Sequence, residues 1–154
     1  MKTKAMIALA LAHNPRLLIL DEPTADLDPV ARQELLDVLR DFVADGEKSV
    51  FFSTHITSDL DKVADYITII HRGRILETMS MDQLEEKYVL LQGGIEQLKS
   101  LDKEFVGIKK GSVTFEGIIT RDKANKFFPD IKGSKPNVES ILTYSIWGDS
   151  NGRG

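Results

Sequence analysis

Residues 17–29 read LLILDEPTADLDP. Four apolar residues run into two adjacent carboxylates, Asp21 and Glu22, and a short polar turn follows, ending in Asp28-Pro29. A continuous apolar run, rather than an alternating one, predicts a strand over residues 16–20 that is buried on both faces, as in a parallel sheet. Asp28-Pro29 predicts a helix start, with Asp as the cap and Pro at the first helical position. The carboxylate pair therefore falls at the carboxyl end of a strand, where open α/β sheets bind ligands. One of the two acids could address a magnesium ion, which takes oxygen ligands and keeps several waters. The other could orient an attacking water and accept its proton. Taken alone, the pair reads more readily as a strand that ends in two solvated acids.

Working outward, residues 3–13 predict a largely apolar helix broken by Asn14-Pro15. The helix that starts at Asp28 carries Leu35, Leu36, Leu39, Phe42 and Val43 on one side and stops near Gly46. Residues 49–54 predict a second strand ending at His55, followed by a short helix over 58–65. A third strand (66–71) turns through Arg72-Gly73 into a fourth (74–78). Strands alternating with helices predict an α/β fold with a largely parallel sheet over residues 1–79. A second, small α+β region is predicted over residues 80–154. It opens with a helix capped by Ser80 and Gln83. Short strands (89–92, 105–109, 112–119) and helices (95–101, 121–128, 137–147) follow, with Trp147 packing the last helix onto this region and a disordered tail over 148–154.

The 154 residues suit one domain or two very small ones. A net charge of −4 gives no basic footprint for nucleic acid. With zero cysteines, neither a disulfide framework nor a thiolate metal site is possible. No apolar run approaches the roughly 18 residues of a membrane-spanning helix. The start, MKTKAMIALALAHNP, is read as a helix and not as a leader, because Pro15 and Arg16 fall where a cleavage site should lie. His13 reads as a helix-end residue and His71 as a hairpin residue.

Several stretches together resemble the ATP-binding subunits of ABC transporters, in family order and near family spacing. LLILDEPT resembles the Walker B segment, and TADLDP resembles the D-loop, with Asp26 where glycine is commonest. FFSTHITSDLDKVADYITIIHRGRIL resembles the H-loop and the hairpin beyond it, and KTKAMIALALAHNPRLL the helix after the signature motif. PNVESILTYSIWG is similar, more weakly, to the ending of exporter-type subunits.

The resemblance implies a partial P-loop ATPase core with ATP and Mg2+ as ligands. Asp21 would hold the metal through a water, Glu22 would be the general base, and His55 would contact the γ-phosphate. Ala25, Asp26, Leu27 and Asp28 would form the D-loop at the interface with a second ATPase subunit. A transmembrane permease would be the other partner, placing the protein in the cytoplasm at the inner face of the membrane. The weighed alternative is a non-transport ABC ATPase of DNA repair or the ribosome. The acidic charge, the HRGRI hairpin and the appended region favour the transporter.

No Gly-Lys dipeptide occurs, so the phosphate-cradling P-loop pattern is missing from this sequence. LQGGI, residues 91–95, resembles the signature LSGGQ only faintly and follows His55, whereas the signature precedes Walker B in the family. The expectation is a C-terminal part of a longer subunit that is inactive alone and self-associates through uncovered apolar surface.

Overall fold

A computed structural model of the chain describes residues 2–152, and Arg153 and Gly154 of the predicted tail lie outside them. The chain divides into two compact units, Met1–Val63 and Ala64–Gly154.

In the first unit the order is α1 (Lys2–Ala12), β1 (Leu17–Asp21), α2 (Pro29–Val43), β2 (Ser49–Ser53) and α3 (Thr57–Val63). Asn14, at φ 47°, closes α1 in the left-handed conformation that asparagine tolerates, and Pro15 cannot continue a helix. Asp28 caps α2, its Oδ1 accepting from the N–H groups of Val30 and Ala31 at 3.0 Å each. Gly46, at φ 75°, follows the end of α2, a conformation that suits a residue without Cβ.

β1 and β2 pair in parallel, with Leu17 opposite Ser49 and Asp21 opposite Ser53, and α2 is their crossover. Ile7 of α1 and Leu35 and Leu39 of α2 pack with Leu18, flanked by Leu20, Phe42 and Val50. Both helices thus cover the same face of the strand pair. On the other face Leu17, Ile19 and Phe51 are 53%, 69% and 65% exposed. The expectation that β1 is buried on both faces is corrected: an unbroken apolar run encodes two apolar faces, but within this unit only one is covered.

The second unit opens with a hairpin, β3 (Tyr66–His71) and β4 (Arg74–Ser80). Arg72 and Gly73 take φ of 48° and 73°, as a tight two-residue turn requires. Such a turn can join only antiparallel strands, so parallel pairing in the chain is confined to β1 and β2 among the described residues. α4 (Met81–Lys87) has the expected capping box: Ser80 Oγ accepts from Gln83 N–H at 3.1 Å, and Gln83 Oε1 accepts from Ser80 N–H at 3.0 Å.

A three-stranded antiparallel sheet follows, in the order β5 (Tyr88–Gly94), β7 (Thr114–Thr120), β6 (Gly107–Lys110), with α5 (Arg121–Phe127) and α6 (Val138–Gly152). Its core groups Phe105, Phe115 and Phe128, with ring centroids 5.5–6.2 Å apart, around Val89, Leu91, Leu98 and Ile119. α6 buries Val138, Ile141 and Tyr144. A Cβ on Gly107 would lie 2.0 Å from the Tyr144 carbonyl oxygen, so glycine lets α6 lie directly on the backbone there.

Three expectations change in this unit. Residues 95–101 are not a helix but a 3₁₀ turn, Ile95–Gln97, after which Lys99 and Ser100 turn left-handed at φ 44° and 65°. The tail predicted to be disordered is helical as far as Gly152. Trp147 is 38% exposed and leans edge-on against Tyr144 of its own helix, leaving the anchoring to the three buried side chains.

Candidate active site

The ends of β1 and β2 bring the sequence-predicted acids and histidine together. Register places Asp21 beside Ser53, whose Oγ donates to Asp21 Oδ1 at 2.5 Å. The next residue leaves the strand sharply. Glu22 has φ 46°, in the left-handed region that costs a residue with a Cβ roughly 1–2 kcal/mol. Its N–H donates to the Ser53 carbonyl at 3.1 Å and to Ser53 Oγ at 3.2 Å, which holds the bend.

That bend turns the Glu22 carboxylate toward the residue two places beyond β2. Glu22 Oε2 lies 2.9 Å from His55 Nδ1 and accepts from the His55 backbone N–H at 3.4 Å. An ionised carboxylate only accepts, so in this pair Nδ1 carries the proton. His55 and Glu22 side chains are 72% and 38% exposed, and a solvated ion pair contributes only about 0–1 kcal/mol to stability. The arrangement is therefore informative as positioning, not as stabilisation.

The turn after Glu22 is closed by Ala25 N–H to the Glu22 carbonyl at 3.3 Å and Leu27 N–H to the Thr24 carbonyl at 3.2 Å. Thr24 is fully buried, and its hydroxyl has no hydrogen-bond partner among the described residues. Ala25 and Asp26 are exposed, Leu27 packs against the core, and Asp28 caps α2. Apart from that Ala25 N–H to the Glu22 carbonyl, no hydrogen bond joins these four to Asp21, Glu22 or His55 among the described residues. Hydrogen bonds from the Ala31 and Val30 amides hold the Asp28 carboxyl below its ordinary value, against a smaller opposing effect of burial.

No group of three or more His, Cys, Asp or Glu side chains able to hold a metal occurs among the described residues. Ser53 engages Asp21 Oδ1, and the second carboxylate oxygen of Asp21 takes no hydrogen bond among the described residues. A single carboxylate suits magnesium, which keeps its waters and leans on substrate phosphates, and does not suit an ion that needs a protein cage.

Reading the sequence alone misses Ser53. Its only signal is its place opposite Asp21, and strand register is not written in either segment alone. Asp59 of α3 is also missed: it is fully buried, with neither carboxylate oxygen paired among the described residues. His13 and His71 lie where expected, at the end of α1 and in the β3–β4 hairpin.

The fold is mixed α/β, with a parallel strand pair whose ends gather Asp21, Glu22 and His55. Curated homologues of the chain are ATP-binding proteins of ABC transporters, and the chain matches part of such a subunit. It is 39% identical over 87 residues to the bacitracin transport ATP-binding protein BcrA of Bacillus licheniformis, covering 56% of this chain and 28% of that protein. To the lantibiotic transport ATP-binding protein SrtF of Streptococcus pyogenes it is 40% identical over 91 residues, covering 57% and 39%. The ABC transporter ATP-binding protein YdbJ of Bacillus subtilis aligns over 152 residues, 94% of this chain and 48% of that protein, at 28% identity. The chain thus spans less than half the length of these relatives. No family model matches the chain. No helix among the described residues is long and apolar enough to cross a membrane.

Proposed function

We propose that the chain supplies the hydrolytic residues of the ATP-binding subunit of an ABC transporter. The juxtaposition of Glu22 with His55 at 2.9 Å, beside Asp21 at a parallel strand end, supports this reading most directly. Glu22 is the general base that orients a water and takes its proton, a role that needs hydrogen-bond reach to that water. His55 steadies the Glu22 carboxylate and offers Nε2 to the γ-phosphate. Asp21 addresses the magnesium of Mg-ATP through a water, and the bound ion would neutralise charge on the phosphate oxygens.

Residues 1–79 form the ATPase part in this reading, with residues 80–154 as an accessory region. The hairpin 66–80 belongs to the first by sequence and clusters with the second in space. Ala25, Asp26, Leu27 and Asp28 face a second ATPase subunit, and a permease holds the pair at the cytoplasmic side of the membrane. Export is the direction suggested by the ending at residues 136–148. Without a P-loop lysine the chain alone does not turn over ATP, and its open Leu17–Ile19–Phe51 face favours self-association.

In the longer subunit this reading requires, Glu22→Gln removes the proton acceptor and leaves the ATP contacts. Turnover is expected to fall by about 10²–10⁴-fold with ATP still bound. Hydrolysis at a near wild-type rate would contradict the role of Glu22.

A further inference from the structure

We propose that Ser53 is a positioning residue of this site, its one hydroxyl fixing the Asp21 carboxylate and the Glu22 backbone in a common frame so that the second Asp21 oxygen meets a divalent cation. The inference rests on the reading of Asp21 as the magnesium residue.

A serine hydroxyl has one proton to give and lone pairs to accept with. Here the proton goes to Asp21 Oδ1 at 2.5 Å, and the oxygen accepts the Glu22 N–H at 3.2 Å. A serine that merely ended a solvated strand would spend both on water. Asp21 is exposed, so without this bond its carboxylate is free to sample several rotamers, each presenting a different oxygen in a different direction. The Glu22 N–H would keep the Ser53 carbonyl, 3.1 Å away, so the left-handed bend itself survives loss of the hydroxyl. Ser53 thus acts on the orientation of Asp21 more than on the path of the chain. Groups that hydrogen-bond a metal-binding carboxylate typically contribute about 10–100-fold to metal affinity.

The test uses the 154-residue chain and manganese chloride as the probe. Wild type, Ser53→Ala, Ser53→Thr and Asp21→Asn are compared by NMR. Side-chain scalar couplings report the Asp21 rotamer, and paramagnetic broadening of the Glu22 and Ser53 amides reports Mn2+ binding. Wild type and Ser53→Thr are expected to show one Asp21 rotamer, and Ser53→Ala an average of several. Ser53→Ala should need about 10-fold more Mn2+ for the same broadening, with Ser53→Thr restoring the wild-type requirement. Equal couplings and equal Mn2+ requirement in wild type and Ser53→Ala would overturn the proposal. So would altered couplings with an unchanged Mn2+ requirement, since Ser53 would then be structural only. Asp21→Asn separates the two readings. If it leaves the broadening intact, Asp21 is not the metal residue. If it abolishes the broadening while Ser53→Ala does not weaken it, Asp21 stands and Ser53 falls.

Discussion

The first unit gathers two acids and a histidine at its strand ends and leaves a sheet face open; the second closes a core and, among the described residues, presents no comparable grouping. In residues 1–63 two helices cover one side of a two-stranded parallel pair, and Leu17, Ile19 and Phe51 stay exposed on the other. In residues 64–154 the three-stranded sheet and α5 enclose Phe105, Phe115 and Phe128 with Leu91 and Ile119, the last two almost inaccessible, and α6 buries Val138, Ile141 and Tyr144 besides. The apolar residues are similar in kind; the difference is how many layers each unit supplies. A sheet needs a layer on each apolar face, and the first unit has one layer where its sequence calls for two.

Phe115 sits at the centre of the closed core, 2% exposed. Phe115→Ala should destabilise the second unit by about 3–5 kcal/mol, the cost of emptying an aromatic site in a packed interior. Urea unfolding followed by tyrosine and tryptophan fluorescence checks this, since Tyr144 and Trp147 report from α6. A loss under about 1 kcal/mol would mean that the core collapses to fill the space.

Asp28 gives a smaller, pH-dependent effect. Its folded carboxyl titrates below its ordinary value of 3.8, so it binds a proton less readily folded than unfolded. Its contribution to α2 is therefore fully present above pH 3.8 and is lost as pH falls through the lower folded value. Asp28→Ala should lower the thermal midpoint at neutral pH and lose its effect in strong acid, whereas Asp28→Asn, still a capping residue, should lower it less. Equal midpoints for Asp28→Ala and wild type at neutral pH would contradict the capping role.

The smallest stability effect is expected where the first unit is open. Phe51→Ser should change unfolding free energy by no more than about 0.5 kcal/mol, as for other exposed positions. The same change should weaken self-association and the binding of an apolar dye. A loss of several kcal/mol would show that Phe51 is covered in solution.

The contrast also explains what the sequence could and could not say. The positions of Asp21 and Glu22 at one strand end and of His55 beyond the next were legible from the local pattern, while the roles given to them came from the family resemblance. Helix caps at Asp28 and Ser80 were legible for the same reason, each being a side chain reaching two or three residues on. Ser53 was not, because its meaning depends on register with a strand 32 positions earlier. The bare face was not, because an apolar run records what a strand can bury and not what is present to bury it. Residues 95–101 misled because Lys99 and Ser100 adopt left-handed backbone without the glycine or asparagine that usually signals it.

In the proposed function, the chain holds the hydrolytic residues of an ATPase without the loop that grips phosphate. Titrating Mg-ATP into the purified chain by calorimetry tests it most directly. Asp21 and Glu22 repel the phosphates, and His55 offers a single contact. No saturable heat in the low micromolar range and no turnover are expected. A low-micromolar dissociation constant, or turnover that disappears in Glu22→Gln, would show that the chain has a phosphate site of its own.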